Sequence, residues 1–287
     1  LAISIFDLHK HRKPVPVRID ITPVANITDT SVAENRAYTY KHKYKPVKWA
    51  LATKGRCAVV GGGVGVKNYL DKLRNFNGDI YAINDAAKYL SDNGIKCCMY
   101  SIDGSKVPYK KGKNCTTALF SRRVHKIQLK RFRKKNVRVF EMFEEDKENG
   151  VEGGVSALCR APHVFIKMGY IGVDFYGCEG SFHDESHNTG NHDDAHSTKL
   201  IITADGVDYM TSAAFLLQNQ YMVPVFLDKQ LSKYLTYHGG GLLRAMMEHP
   251  DTWSVSAVSD AIKEQSIAHG TNPFSDQYKT SNKLWKP

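Results

Sequence analysis

The sequence has six cysteines but no Cys-x-x-Cys pair and no zinc-ligand spacing. A dithiol redox motif and a structural zinc ribbon are therefore excluded. Cys57, Cys97, Cys98, Cys115, Cys159 and Cys178 mostly fall in apolar stretches, as free thiols do in a reducing compartment. Nowhere is there the run of ~18 apolar residues that a membrane helix needs; the nearest, residues 213–227, is interrupted. The opening LAISIF is too short for a signal-peptide core and no cleavage pattern follows it, so a cytoplasmic protein is expected. No Gly-Lys-Ser/Thr occurs after a glycine loop, which excludes an ATP-type P-loop. No internal repeat is visible.

What the chain has in plenty is positive charge. Lys and Arg number 40 against 29 Asp and Glu, a net charge of +11, and this favours a polyanionic partner. The excess is clustered in SRRVHKIQLKRFRKKNVR, residues 121–138. That run reads either as a solvated helix with Val124, Ile127 and Phe132 turned inward or as a face for nucleic acid or an acidic partner. At 287 residues the chain is long enough for one large domain or two small ones.

Residues 1–55 read as an irregular basic arm, with one candidate strand at Val15–Ile21. From Arg56 the pattern changes: short Val-, Ile- and Tyr-rich runs alternate with helical stretches, as in a parallel α/β sheet. Candidate strands are Cys57–Val60, Asp79–Ile83, Lys96–Ile102, Thr116–Phe120, Val137–Phe140, Ile171–Tyr176 and Val223–Leu227. Candidate helices are Val66–Phe76, Asp85–Asp92, Val124–Lys135, Val155–Met168 and Ser212–Gln220, with others at Leu242–Glu248 and near Ser256–Ile267. The predicted fold is α/β, a Rossmann-like doubly wound and mostly parallel sheet with helices on both faces. Its core spans residues 56–230, and residues 231–287 form a helical extension packed on it.

Several strand ends carry groups suited to a ligand. VVGGGVGVK places Gly61, Gly62, Gly63 and Gly65 between a strand and a helix. Backbone N–H groups and the positive helix end meet there, and glycine lets a phosphate come close. The dinucleotide pattern G-x-G-x-x-G fails at Val66, and a simple tight turn is the plain alternative. Asn84 and Asp85 follow the next strand, where Asp85 could equally cap a helix. Ser101 and Asp103 follow the one after, where a carboxylate suits a ribose hydroxyl or a divalent cation on a diphosphate. Gly153, Gly154 and Ser156 open a helix, as a second anion site or an ordinary cap. After Asp174 and Glu179, the stretch from His183 to His196 holds His183, His187, His192 and His196 with four carboxylates, Asp184, Glu185, Asp193 and Asp194, among them. Asn188-Thr189-Gly190-Asn191 argues for a loop there, which leaves one histidine as general base or phosphate contact, or a polar lid without chemistry.

Taken in order, GGGVG, YAINDAAKYLSDNGIKCCMYSID, GGVSALCRAPHVFIKMGYIGVDFYGCEGSF and ADGVDYMTSAAF resemble one superfamily. It is the Rossmann-like domain of archaeal-type 6-hydroxymethylpterin diphosphokinases and motility-associated flagellin glycosyltransferases, distantly similar to small bacterial sialyltransferases. The resemblance covers residues 56–230. It implies a transferase moving a sugar or diphosphate from a nucleotide or nucleotide-sugar donor to an acceptor hydroxyl. It sets Gly61–Gly65, Asn84-Asp85, Ser101/Asp103 and Gly153-Gly154-Ser156 around the donor phosphates. The family's G-x-D motif lands on Gly177-Cys178-Glu179, with Glu in place of Asp. The family's histidine maps to His196 first and His187 second, and Mg²⁺ on Asp103 or Glu179 is the metal expectation. Two other readings stand beside it. One is an NAD(P)-dependent oxidoreductase, since Asp85 lies twenty residues after Gly65, though no Tyr-x-x-x-Lys pair accompanies it. The other is a non-enzymatic module that binds nucleic acid or an acidic partner through residues 121–138.

Overall fold

A computed structural model describes residues 27–49, 53–154, 156–182 and 199–258. The candidate strand Val15–Ile21, the four histidines between 183 and 196, and most of the candidate helix near Ser256–Ile267 lie outside the described residues.

Eight strands form one sheet in the order β1-β6-β5-β4-β3-β2-β7-β10, and every neighbouring pair is parallel. They are β1 (Lys45–Pro46), β2 (Lys54–Val60), β3 (Gly78–Ile83), β4 (Cys97–Ser101), β5 (Cys115–Ser121), β6 (Val137–Phe140), β7 (Tyr170–Tyr176) and β10 (Leu235–His238). A second, antiparallel sheet joins β8 (Lys199–Ala204) to β9 (Val207–Ser212) and β11 (Ser254–Val258). The α/β expectation holds, because strands buried on both faces show as short apolar runs.

Two buried clusters line the two faces of the main sheet. One joins Tyr81, Tyr100 and Phe175 to Phe165 of α5 (Ala157–Lys167), Phe226 of α6 (Ala213–Leu227) and Leu242 of α7 (Gly241–Glu248). The other joins Ala58, Val60 and Tyr176 to Leu73 of α2 (Leu70–Arg74), Leu90 of α3 (Ala86–Asp92) and Leu129 of α4 (Lys126–Leu129). Arg160 of α5 is only 1 % exposed, and its guanidinium donates to the Val151 and Gly154 carbonyls and the Glu144 carboxylate.

Four expectations need correcting. Residues 29–41 are not irregular: Asp29–Lys41 forms α1, capped by Thr28, whose Oγ1 accepts the Ser31 N–H at 3.2 Å. Val223–Leu227 is not a strand but the last turns of α6, whose sequence is apolar on most sides and so hides its period. Residues 124–135 form only α4 and, after a break, the start of a 3₁₀ turn at Lys134–Asn136. Leu129 and Phe132 point inward there, whereas Ile127 is 40 % exposed. The region after residue 231 is more than helical, since β10 completes the main sheet.

Candidate functional site

Strands β2 to β6 step outward in one direction, and β7 then returns to the opposite side of β2. The carboxyl ends of β2 and β7 therefore flank a topological switch point, where doubly wound sheets open a crevice. The two loops leaving it are joined by their backbones. The Gly61 N–H donates to the Tyr176 carbonyl at 2.8 Å and the Gly63 N–H to the Gly177 carbonyl at 2.9 Å. Gly177 has a φ of +63°, and a Cβ on it would lie 2.8 Å from the Gly61 carbonyl oxygen. Glycine is required at that crossing by both conformation and space.

Glu179 fills the crevice. A Cβ on Gly63 or Gly65 would overlap its carboxylate, and one on Gly241 would come 2.7 Å from its Cβ. The Leu243 N–H of α7 donates to the Glu179 carbonyl at 3.0 Å. Both carboxylate oxygens are buried and have no hydrogen-bond partner among the described residues. Burial pushes this carboxyl above the ordinary glutamate range. Gly63, Gly65, Gly239 and Gly241 thus converge on one buried acid. The loop before the 3₁₀ segment Val64–Tyr69 lies against the Glu179 carboxyl group.

Asn84 stands one strand further along, at the end of β3. Its φ is +50°, its N–H donates to the Tyr100 carbonyl at 3.2 Å, and its Oδ1 is buried without a partner among the described residues. Asp85 accepts the Lys110 N–H at 2.7 Å. Ser101 is fully buried and its Oγ accepts the Asp103 N–H at 3.2 Å. Asp103 accepts the Ser105 N–H at 2.8 Å and the Tyr109 hydroxyl. Ser156 caps α5 by accepting the Cys159 N–H at 3.2 Å and donates to Gln218 at 3.0 Å. A Cβ on Gly153 would meet Arg160 of α5 at 2.8 Å, and one on Gly154 would meet Cys159 at 2.7 Å. These two glycines let the loop lie close against α5.

A second group was not legible in the sequence. On β7, Asp174 accepts from Arg56 Nε at 2.8 Å and pairs with His238 Nε2 at 2.7 Å. His238 ends β10, stacks on Tyr176 at 4.4 Å between ring centroids, and meets Lys72 Nζ at 3.3 Å through Nδ1. A lysine ammonium can only donate, so Nδ1 accepts and Nε2 carries the hydrogen shared with Asp174. Burial raises the Asp174 pKa, but the hydrogen bonds from Arg56 and His238 outweigh it and hold the carboxyl below its usual range. The available signal was the run Leu235–His238 followed by Gly239–Gly241, which repeats the strand-then-glycine shape of VVGGG.

No protein-family model matches this chain, and no curated protein matches it. Among solved structures, the chain is similar to the MAf glycosyltransferase from Magnetospirillum magneticum AMB-1, with a TM-score of 0.55 and 12 % identity. That match covers 83 % of this chain and 41 % of the glycosyltransferase. The chain shares the fold of a glycosyltransferase. It spans about two fifths of that protein's length. A looser likeness is to a mammalian sialyltransferase in complex with Gal-beta-1-3GalNAc-ortho-nitrophenol, with a TM-score of 0.41 and 11 % identity over 82 % of this chain and 94 % of that one. At that score it adds no argument.

His187 and His196 lie outside the described residues. The Mg²⁺ expectation finds no support. Asp103 and Glu179 follow strands three places apart, about 14 Å at ~4.8 Å per strand, and both oxygens of Asp103 already accept hydrogen bonds. Among the described residues no group of three or more His, Cys, Asp or Glu is placed to hold a metal. No helix among them is long and apolar enough to cross a membrane.

The basic run is divided. Arg122 pairs with Glu141 at 2.9 Å and Arg123 pairs with Glu145, so its first two cations are spent inside the protein. Lys130, Arg133, Lys134 and Lys135 remain exposed.

Proposed function

We propose that the protein is a nucleotide-dependent transferase, of glycosyltransferase or diphosphokinase type, that moves a sugar or diphosphate to an acceptor hydroxyl. The observation that carries this reading is Glu179, a buried carboxyl without a hydrogen-bond partner among the described residues, at the switch point of the sheet. A carboxylate with a raised pKa is suited to take a proton from an attacking hydroxyl. The Asn84 amide oxygen, equally unpaired among the described residues, is suited to accept from a ribose hydroxyl or a base. Gly61, Gly62, Gly63 and Gly65 supply the closely approachable backbone beside the donor phosphates, and Asp85, Ser101, Asp103, Gly153, Gly154, Ser156 and Gly177 complete the surround. Catalytic duty falls to Glu179 and to His196, with His187 as the second candidate. The shared fold supports a nucleotide-sugar donor in particular.

The dinucleotide reading gains nothing from the geometry. Val66 is fully buried at the place of the third glycine, and a Cβ on Gly177 would lie 3.1 Å from it.

Thermal denaturation with ATP, GTP, CTP, CMP and nucleotide sugars, with and without Mg²⁺, tests the proposal. A ligand at a hundred times its Kd adds about 2.7 kcal/mol, which raises Tm by several degrees. Stabilisation by one nucleotide class is expected, with transfer but not nucleotide binding lost in a Glu179→Gln variant. A melting temperature unmoved by every nucleotide would overturn the reading.

A further inference from the structure

The opposite edge of the sheet, where the strands begin, is lined with lysine. Lys45, Lys54, Lys96, Lys113, Lys135 and Lys233 stand at or within two residues of the first position of β1, β2, β4, β5, β6 and β10. All six are exposed. None forms an ion pair with a carboxylate among the described residues. These lysines are scattered along the chain, and the parallel topology brings them to one edge at intervals of roughly 4.8 Å per strand.

A cleft of about 810 Å³ opens at this edge over β3, β4, β5 and β6, with Lys96, Lys113, Lys135 and Arg138 among its lining residues. Its accessible floor is mixed: Thr116 and Thr117 are exposed, and Asn114, Asn136, Val47 and Cys98 are half-buried. The ring of Tyr81 and the side chains of Leu119 and Met168 in the lining are each less than 10 % exposed. The floor therefore offers no open ring on which a base could stack. One carboxylate borders it, Asp79, which accepts the Tyr170 hydroxyl.

Charge also limits what can occupy the cleft. Residues 1–26 and 259–287 each carry more Lys and Arg than Asp and Glu, and a second copy of the chain carries the same net +11. None of these complements a row of lysines. We propose that this edge holds a double-stranded nucleic acid by its phosphate backbone, without base readout. A duplex presents phosphates outward while its bases stay paired, so it needs cations and hydrogen-bond donors but no stacking surface. This site is separate from the transferase reading and does not depend on it.

The test is fluorescence anisotropy of the full chain with a labelled 20-base-pair DNA duplex at 20–200 mM KCl. Single-stranded dT20 and polyglutamate serve as competitors. Contacts from three or four cations give a log–log salt slope of about −3 to −4. The triple variant Lys96→Glu, Lys113→Glu, Lys135→Glu is expected to weaken duplex binding at least tenfold at 50 mM salt. The matching triple Lys106→Glu, Lys126→Glu, Lys147→Glu makes the same charge change beyond the opposite ends of β4, β5 and β6, and is expected to weaken it less than threefold. Circular dichroism establishes that both variants are folded. Four outcomes would each overturn the proposal: no duplex binding at 20 mM salt, equal losses in the two triples, tighter binding of dT20, or tighter binding of polyglutamate.

Discussion

Glu179 lies so close to Gly65 that a Cβ there would overlap its carboxylate, and the nearest atoms to that Cβ all belong to Glu179. Gly65 does not have a positive φ, so an alanine backbone fits and the conflict is with one side chain alone. Gly65→Ala is expected to cost about 1–3 kcal/mol of stability, the range for overpacking a filled site. In a chain that also carries Glu179→Ala, most of that cost should vanish. Urea denaturation of both single variants and the double gives the coupling; strictly additive losses would mean that Gly65 serves the backbone instead.

Burial raises the folded-state pKa of Glu179 above its unfolded value, so the native state holds that proton more tightly. This contribution is full below about pH 4.5 and is lost as pH rises through the folded pKa. Glu179→Gln keeps the shape and removes the titration. Its stability relative to the parent should rise between pH 4 and pH 8, by about 1.4 kcal/mol for each unit of upward shift. Parallel pH profiles from denaturant midpoints would contradict this.

Asn84 separates conformation from chemistry. Asn84→Gly accepts the φ of +50° without strain, whereas Asn84→Ala should cost about 1–2 kcal/mol. Both remove the unpaired Oδ1. If that oxygen serves the donor, the glycine variant keeps its melting temperature but loses most of the nucleotide-induced shift. Retention of the full shift would remove Asn84 from the site.

Asp174→Asn should cost about 1–3 kcal/mol at pH 7, less than a fully buried pair because the Arg56 side chain is 49 % exposed. The Asp174 pKa is held down in the folded state, so its contribution is present above the ordinary carboxylate range and lost as pH falls below it. Parent and variant stabilities should converge near pH 2, as read from acid titration of the fold. A constant gap down to that pH would show that the loss is not electrostatic.

The parallel strands were legible because each is a short apolar run closed by turn residues: Val137–Phe140 matches β6 residue for residue, and Cys57–Val60 falls within β2. Val223–Leu227 misled because β-branched and aromatic residues in a helix buried nearly all round carry no readable period. β1 is only two residues long, and β10, with Thr236 and His238 among its four residues, does not show as an apolar run. At the site, Gly61–Gly65 and Glu179 were visible as motifs, but their mutual contact was not. It depends on β7 returning beside β2, a choice no local pattern records. Asp174 and His238 were missed for the same reason, since 64 residues separate partners that meet only across neighbouring strands.

The walls of the crevice come from glycines near residue 63, an acid at residue 179 and glycines near residue 240. A growing chain therefore exposes its first wall long before the last exists. At translation rates of about 5–20 residues per second, the interval is on the order of ten to thirty seconds. Until β7 at Tyr170–Tyr176 is made, β2 stands as an unpaired edge on the side that β7 will cover. The pocket is completed only once the glycines near residue 240 are made, and a chain interrupted before β7 would carry a sticky half-sheet without that site.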